Sequence, residues 1–175
     1  EYTVNKNFDS ATSLIDECIK NSKNKYESYL VKSYITFMEE ENPLKSLLLL
    51  KEASKYSNKD KKWIYNKSFI YMYLEKYNNA LRGYEIIKNT RFYEEKSFVE
   101  ACIENNLDLY NKDSSKVQII FIIAFLYYEK LNNIPCAQEY FEMFLEKSQN
   151  YSNLDLLISE SEKYLDQCNE KMELN

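Results

Sequence analysis

The stretch from Val117 to Leu145, VQIIFIIAFLYYEKLNNIPCAQEYFEMFL, limits the possible folds most severely. Its first part, Val117 to Tyr128, is apolar almost without interruption. Charged and amide residues follow, and after Pro135 apolar residues return at helical spacing. The run is too short for the ~20 residues of a bilayer-spanning helix, so it reads as a buried helix joined by a short turn to an amphipathic one. A helix that is apolar on every side must be covered on every side. This hairpin therefore requires other helices around it.

The punctuation of the chain points the same way. Among 175 residues glycine occurs once, at Gly83, and proline twice, at Pro43 and Pro135. The many tight turns of a sheet protein would need more of both. Helices with short polar connections do not. The chain has 17 tyrosines and 9 phenylalanines, which suit wide helix-to-helix contacts where a ring is buried and a hydroxyl reaches water or backbone. A chain of this length buries roughly 70% of its unfolded surface, enough for a substantial core.

The chain is also self-similar. A small residue marks each second helix: Ala11 in NFDSATSLIDECI, Ser46 in NPLKSLLLLKEAS, Ala80 in YNNALRGYEII and Ala137 in IPCAQEYFEMF. The first three anchors are 35 and 34 residues apart, and the fourth follows after 57. Four residues beyond each anchor stands a large apolar or aromatic residue (Ile15, Leu50, Tyr84, Phe141), and three further on another core residue (Cys18, Ala53, Ile87, Phe144). These spacings put all of them on one helical face. Phe8, Pro43, Tyr77 and Ile134, three residues before the anchors, close the turns. The first helices carry stripes of their own: Leu30, Tyr34 and Phe37; Ile64, Ser68 and Tyr71; Phe121, Phe125 and Tyr128. No hairpin buries its inner face alone, so neighbours must stack.

With this period and the strings LEKYNNALRGYE and KLNNIPCAQEYFEMFLEKS, the chain resembles the tetratricopeptide repeat family from Tyr2 to about Asn89 and again from Ser115 to Lys147. It departs from the family pattern at several places. Trp63 sits one place before the usual tryptophan, Lys67 and Ser68 replace the usual leucine and glycine, and Ser46 replaces alanine. The resemblance implies an all-α fold, a superhelical solenoid of about nine helices in hairpins. The expected organisation is a single domain with repeats at 1–22, 26–58, 60–90 and 115–148, an extra helix at 91–111 and a C-terminal capping helix at 153–173.

The extra helix, with Phe98, Cys102, Ile103 and Leu107 on one face, stands where a full repeat would need two helices, and a kink in the stack is expected there. The capping helix buries Leu154, Leu157, Ile158, Tyr164, Leu165, Cys168 and Met172 and shows charge to water. The chain starts at Glu1 without methionine and near Tyr2 enters the last turn of a helix whose beginning is lacking, so it reads as N-terminally truncated.

Chemistry is poorly provided for. There is no histidine, so the commonest general base and metal ligand are missing. One glycine cannot make a phosphate-cradling loop. Acidic neighbours such as Glu39 to Glu41 lie at helix ends, where solvated charge is ordinary. Cys18, Cys102, Cys136 and Cys168 form no CxxC pair and read as small core hydrophobes. They favour a reducing, cytoplasmic setting, with export or anchoring left open by the missing start. The net charge of −5 is interleaved, without the basic stripe that nucleic acid or an anionic membrane demands. The chain reads as no enzyme, with no cofactor or metal.

Binding is the remaining class. In the resembling family the first helix of each repeat lines a groove for a peptide or partner helix. By position this implies Val31, Ile35, Met38 and Glu39, then Tyr65, Asn66, Phe69, Met72 and Tyr73, and later Ile119, Ile122 and Leu126. Their apolar character implies a hydrophobic or amphipathic protein or peptide partner. Two readings of the same residues stand against each other: a groove centred on Tyr65, Phe69, Met72 and Tyr73, or core covered by adjoining helices. Two functional readings also stand: an assembly scaffold, and a peptide-sensing regulatory domain of a larger protein.

Overall fold

A computed structural model describes residues 8–23, 25–56, 60–88 and 96–174, and every regular element among them is an α-helix. There are nine among the described residues: α1 (Phe8–Asn21), α2 (Tyr26–Met38), α3 (Pro43–Ala53), α4 (Lys61–Tyr73), α5 (Tyr77–Lys88), α6 (Lys96–Lys112), α7 (Gln118–Glu129), α8 (Ile134–Ser148) and α9 (Asp155–Glu173). The expected helix end near Tyr2 lies outside the described residues. The chain divides into two compact units, Glu1–Leu74 and Glu75–Asn175. The boundary cuts the 60–90 repeat expected from sequence.

The starts of three helices follow from local chemistry. The side chains of Asn42, Asp60 and Asn133 accept hydrogen bonds from the amides of Lys45, Trp63 and Cys136 at 2.9, 2.9 and 3.2 Å. Each satisfies a donor that the first turn of a helix leaves without a partner. Pro43 and Pro135 occupy first-turn positions, where no amide hydrogen is needed.

Three turns share a further geometry. Glu41, Glu75 and Asn132, each five residues before a small anchor, adopt left-handed φ values of 50°, 60° and 49°. The anchors' own amides then donate to the carbonyls of Asn42, Lys76 and Asn133 at 3.0, 3.1 and 3.0 Å. Glycine usually fills such a left-handed position at the end of a helix. This chain has one glycine, and it lies inside α5.

In the first unit α1 packs on α2, α2 on α3 and α3 on α4, with a lesser α2–α4 contact. The α2–α3 crossing is held by a reciprocal pair: the Ser33 hydroxyl donates to the Ser46 carbonyl at 3.0 Å, and the Ser46 hydroxyl to the Ser33 carbonyl at 2.6 Å. Both serines are buried, so the helices approach closely and every hydroxyl finds an acceptor.

In the second unit α6 packs on α7, α7 on α8 and α8 on α9. Helix α7 is buried at Gln118–Leu126 and at Tyr128, as its uniform apolarity requires. Helix α9 contacts α7 and α5 as well as α8. Its buried positions, Leu157, Ser161, Tyr164 and Cys168, follow a regular three-four spacing with the preceding Leu154. Ser161 replaces the expected Ile158 on that face, and Met172 is exposed. In α6 the buried face is Val99, Cys102, Ile103, Asn106 and Leu109, with Phe98 and Leu107 at its flanks. Asn106 enters this face because its amide donates to the Cys102 carbonyl one turn back, at 2.6 Å.

All four anchors are buried. So are Leu50, Tyr84 and Phe141 four residues on, and Ala53, Ile87 and Phe144 three further on. The first hairpin is the exception, with Ile15 half-buried and Cys18 exposed. Cys18 is thus no core residue. Cys136 is partly exposed, and the small-hydrophobe reading holds for Cys102 and Cys168. Burial pushes the Cys168 thiol up, away from the reactive thiolate.

Burial also raises the buried phenols of Tyr84 and Tyr164. The Tyr77 phenol is pushed up to about 12 from 10.0, by burial first and by the Glu75 carboxylate second. Its hydroxyl has no hydrogen-bond partner among the described residues. The raised folded value means full stability below about pH 10 and progressive loss above it, as the unfolded state gives up its proton first. Stability measured from neutral pH to pH 12 should fall above pH 10, and Tyr77→Phe should flatten that fall without cost at pH 7.

The left-handed turns make a second prediction. A non-glycine residue in that conformation costs about 1–2 kcal/mol. In urea titrations Glu41→Gly should therefore gain up to about 1 kcal/mol, part of the relief being offset by the freer unfolded chain. Glu41→Val should lose about 1–2 kcal/mol.

Candidate interaction surface

The expected groove is mostly interior. Ile35, Met38, Tyr65, Phe69 and Met72 are buried, Met72 completely. Asn66 and Tyr73 are half-buried, Glu39 is exposed and Val31 is 40% exposed. Phe37 meets Phe69 and Tyr73 edge-on at 5.1 and 4.9 Å, and Tyr65 stacks on Phe69 at 6.1 Å. Ile119, Ile122 and Leu126 are buried in α7. Of the two readings of these residues, core describes the groove's centre, where Tyr65, Phe69 and Met72 are buried.

The reason is the composition of α4. Its sequence, KKWIYNKSFIYMY, is apolar or aromatic on all sides, so periodicity does not choose an inner face. The expected inner stripe of Ile64, Ser68 and Tyr71 is buried only at Ser68, whose hydroxyl donates to the Ile64 carbonyl at 2.8 Å. The structure turns Trp63, Tyr65, Phe69, Ile70 and Met72 inward.

Outside, the most conspicuous apolar surface of the first unit is on α3. Leu44 and Leu48 are each 63% exposed. They lie one turn apart, about 200° around the helix from the buried Ser46 and Leu50. This surface was legible in the string PLKSLLLL at 43–50: a helix whose core stripe runs through Ser46, Leu50 and Ala53 turns Leu44 and Leu48 away from that core.

Beside this ridge α3 and α4 enclose a cavity of about 310 Å³. Leu47, Leu48, Leu50, Lys51 and Ser54 line it from α3 and the loop after it, and Trp63, Lys67 and Tyr71 from α4. Trp63 is firmly held. Its amide is capped by Asp60, which also accepts a 2.7 Å hydrogen bond from the Tyr26 hydroxyl. Its indole N–H donates to the Leu50 carbonyl at 2.7 Å. Burial and the Asp60 carboxylate together raise the Tyr26 phenol, so this junction stays neutral on the tyrosine side. The Lys67 ammonium lies over the Trp63 ring at 4.9 Å and the Tyr71 ring at 5.3 Å, cation–π contacts that fix its position.

A second cavity of about 310 Å³ lies in the other unit over Tyr84, Phe121, Phe125 and Tyr164. Those rings are buried and pack on one another, with Tyr84–Phe125 at 4.9 Å and Phe125–Tyr164 at 6.2 Å. Two rim carboxylates are neutralised locally: Glu85 pairs with Lys88 at 2.6 Å and Glu160 with Lys163 at 2.5 Å. That site is a half-open recess with core rings as its floor and charged residues at its rim.

Among the described residues no group of three or more His, Cys, Asp or Glu is placed to hold a metal ion. No helix among them is long and apolar enough to cross a membrane. Neither family models, nor curated proteins, nor solved structures give a match to this chain.

Core and surface should separate cleanly under substitution. Phe69→Ala is expected to cost about 3–5 kcal/mol, whereas Leu48→Ala should change stability by less than about 0.5 kcal/mol. Chemical denaturation followed by far-UV circular dichroism measures both.

Proposed function

We propose that this chain is a non-enzymatic scaffold of tetratricopeptide-like helical repeats that binds other proteins or peptides. The observation that carries the reading is the exposed leucine ridge of α3 beside an aromatic-floored cavity. Large apolar side chains displayed one turn apart, on the side of α3 away from the buried Ser46 and Leu50, support an interaction surface there. The repeat reading is supported by the recurrence of one turn geometry at Glu41, Glu75 and Asn132, each at the same distance from a buried small residue. The absence of histidine weighs against acid–base or nucleophilic chemistry.

Affinity capture with the full chain, followed by calorimetric titration of the recovered and purified partner, tests the proposal. A single saturable complex is expected. If no recovered protein rebinds in purified form, the scaffold reading fails.

A further inference from the structure

We infer that the groove between α3 and α4 is a docking site for an acidic amphipathic helix of a partner protein. This deepens the scaffold reading above and rests on it.

The apolar half of the inference comes from Leu44 and Leu48, which project beside a cavity floored by Trp63. An exposed ridge next to a recess matches a helix that offers anchors at i, i+3 or i+4 and i+7. The electrostatic half comes from the rim. The two charged side chains that line the cavity, Lys51 and Lys67, are both cations, in a chain of net charge −5. Other lysines on or next to α3 are already neutralised: Lys45 pairs with Glu40 at 2.6 Å and Lys55 with Glu52 at 2.7 Å. Lys51 is exposed and has no carboxylate partner among the described residues. Lys67 is set over two rings, in a fixed place from which it can meet an incoming carboxylate. Leucines for an apolar face and two positioned ammonium groups at its border together select a ligand with glutamate or aspartate flanking its apolar anchors.

Trp63 is the sole tryptophan and forms part of the floor, so occupancy can be read directly from its emission. Two fluorescent model peptides of equal length and identical leucine spacing, one with glutamate and one with lysine on the polar face, are titrated into the full chain. Saturable binding of the glutamate peptide with a Trp63 emission shift is expected, and no saturation by the lysine peptide. Lys51→Glu with Lys67→Glu should weaken the glutamate peptide roughly tenfold or more and improve the lysine peptide. Leu48→Asp should abolish binding while leaving the circular dichroism spectrum and melting curve unchanged. Equal affinity for both peptides, or no binding of the glutamate peptide, overturns the inference. So does binding of phosphatidylserine vesicles in place of peptide, or a self-association of the chain that Leu48→Asp abolishes. If the glutamate peptide fails while a purified partner binds wild type and Leu48→Asp alike, only the groove assignment falls; if no partner binds either, the scaffold reading falls with it.

Discussion

Helix α7 has no side that it can show to water, and the second unit is organised by that constraint. Ten of its twelve residues are buried, and the covering comes from α6, α8 and α9 together. The aromatic rings are distributed accordingly. Phe121 meets Phe141 and Phe144 of α8 edge-on at 5.8 and 5.9 Å, and Phe125 receives Tyr84 of α5 at 4.9 Å. Tyr164 of α9 stacks on Phe141 and donates its hydroxyl to Glu129. A terminal helix that only shielded the last hairpin would contact α8 alone. This one also reaches back to α7 and α5, because the apolar surface to be covered extends that far.

The first unit depends on finer devices. Its helices are less uniformly apolar, and their approach is set by small polar residues whose hydrogen bonds are closed within the crossing, as at Ser33 and Ser46. Asp60 ties two helices together, capping α4 through the Trp63 amide and accepting from Tyr26 of α2. Because that network fixes the α4 start, the outer surfaces of α3 and α4 keep a defined spacing, and the recess between them is a feature of the fold.

Much of the architecture was readable from residue order. The small residues Ser46, Ala80 and Ala137 lie buried in α3, α5 and α8, since a side chain of that size in a helix contact leaves a periodic mark. The 57-residue interval between Ala80 and Ala137, with the stripe Phe98, Cys102, Ile103 and Leu107, left room for a further helix, and α6 lies there. What could not be read was the facing of α4, where apolar residues occur at every angle and only contacts distant in sequence, such as Phe37 on Phe69, decide which are interior. The family-derived groove centred on Tyr65, Phe69 and Met72 falls on residues that the structure buries. Cys18 failed differently: the period put it in the core, but the first hairpin has no preceding helix among the described residues to cover it.

The left-handed turns have a consequence for how the chain moves. Glycine at a corner allows a wide basin of backbone angles, and a hairpin joined through it can swing. Glutamate and asparagine at Glu41, Glu75 and Asn132 confine the backbone to a narrow well. At Glu41, between α2 and α3, and at Asn132, between α7 and α8, the corner acts as a stiff elbow inside its own unit, and its two arms are displaced together when one of them is pushed. Within such a hairpin the two helices are coupled through a backbone with little freedom to turn, so a push on one is passed to its neighbour.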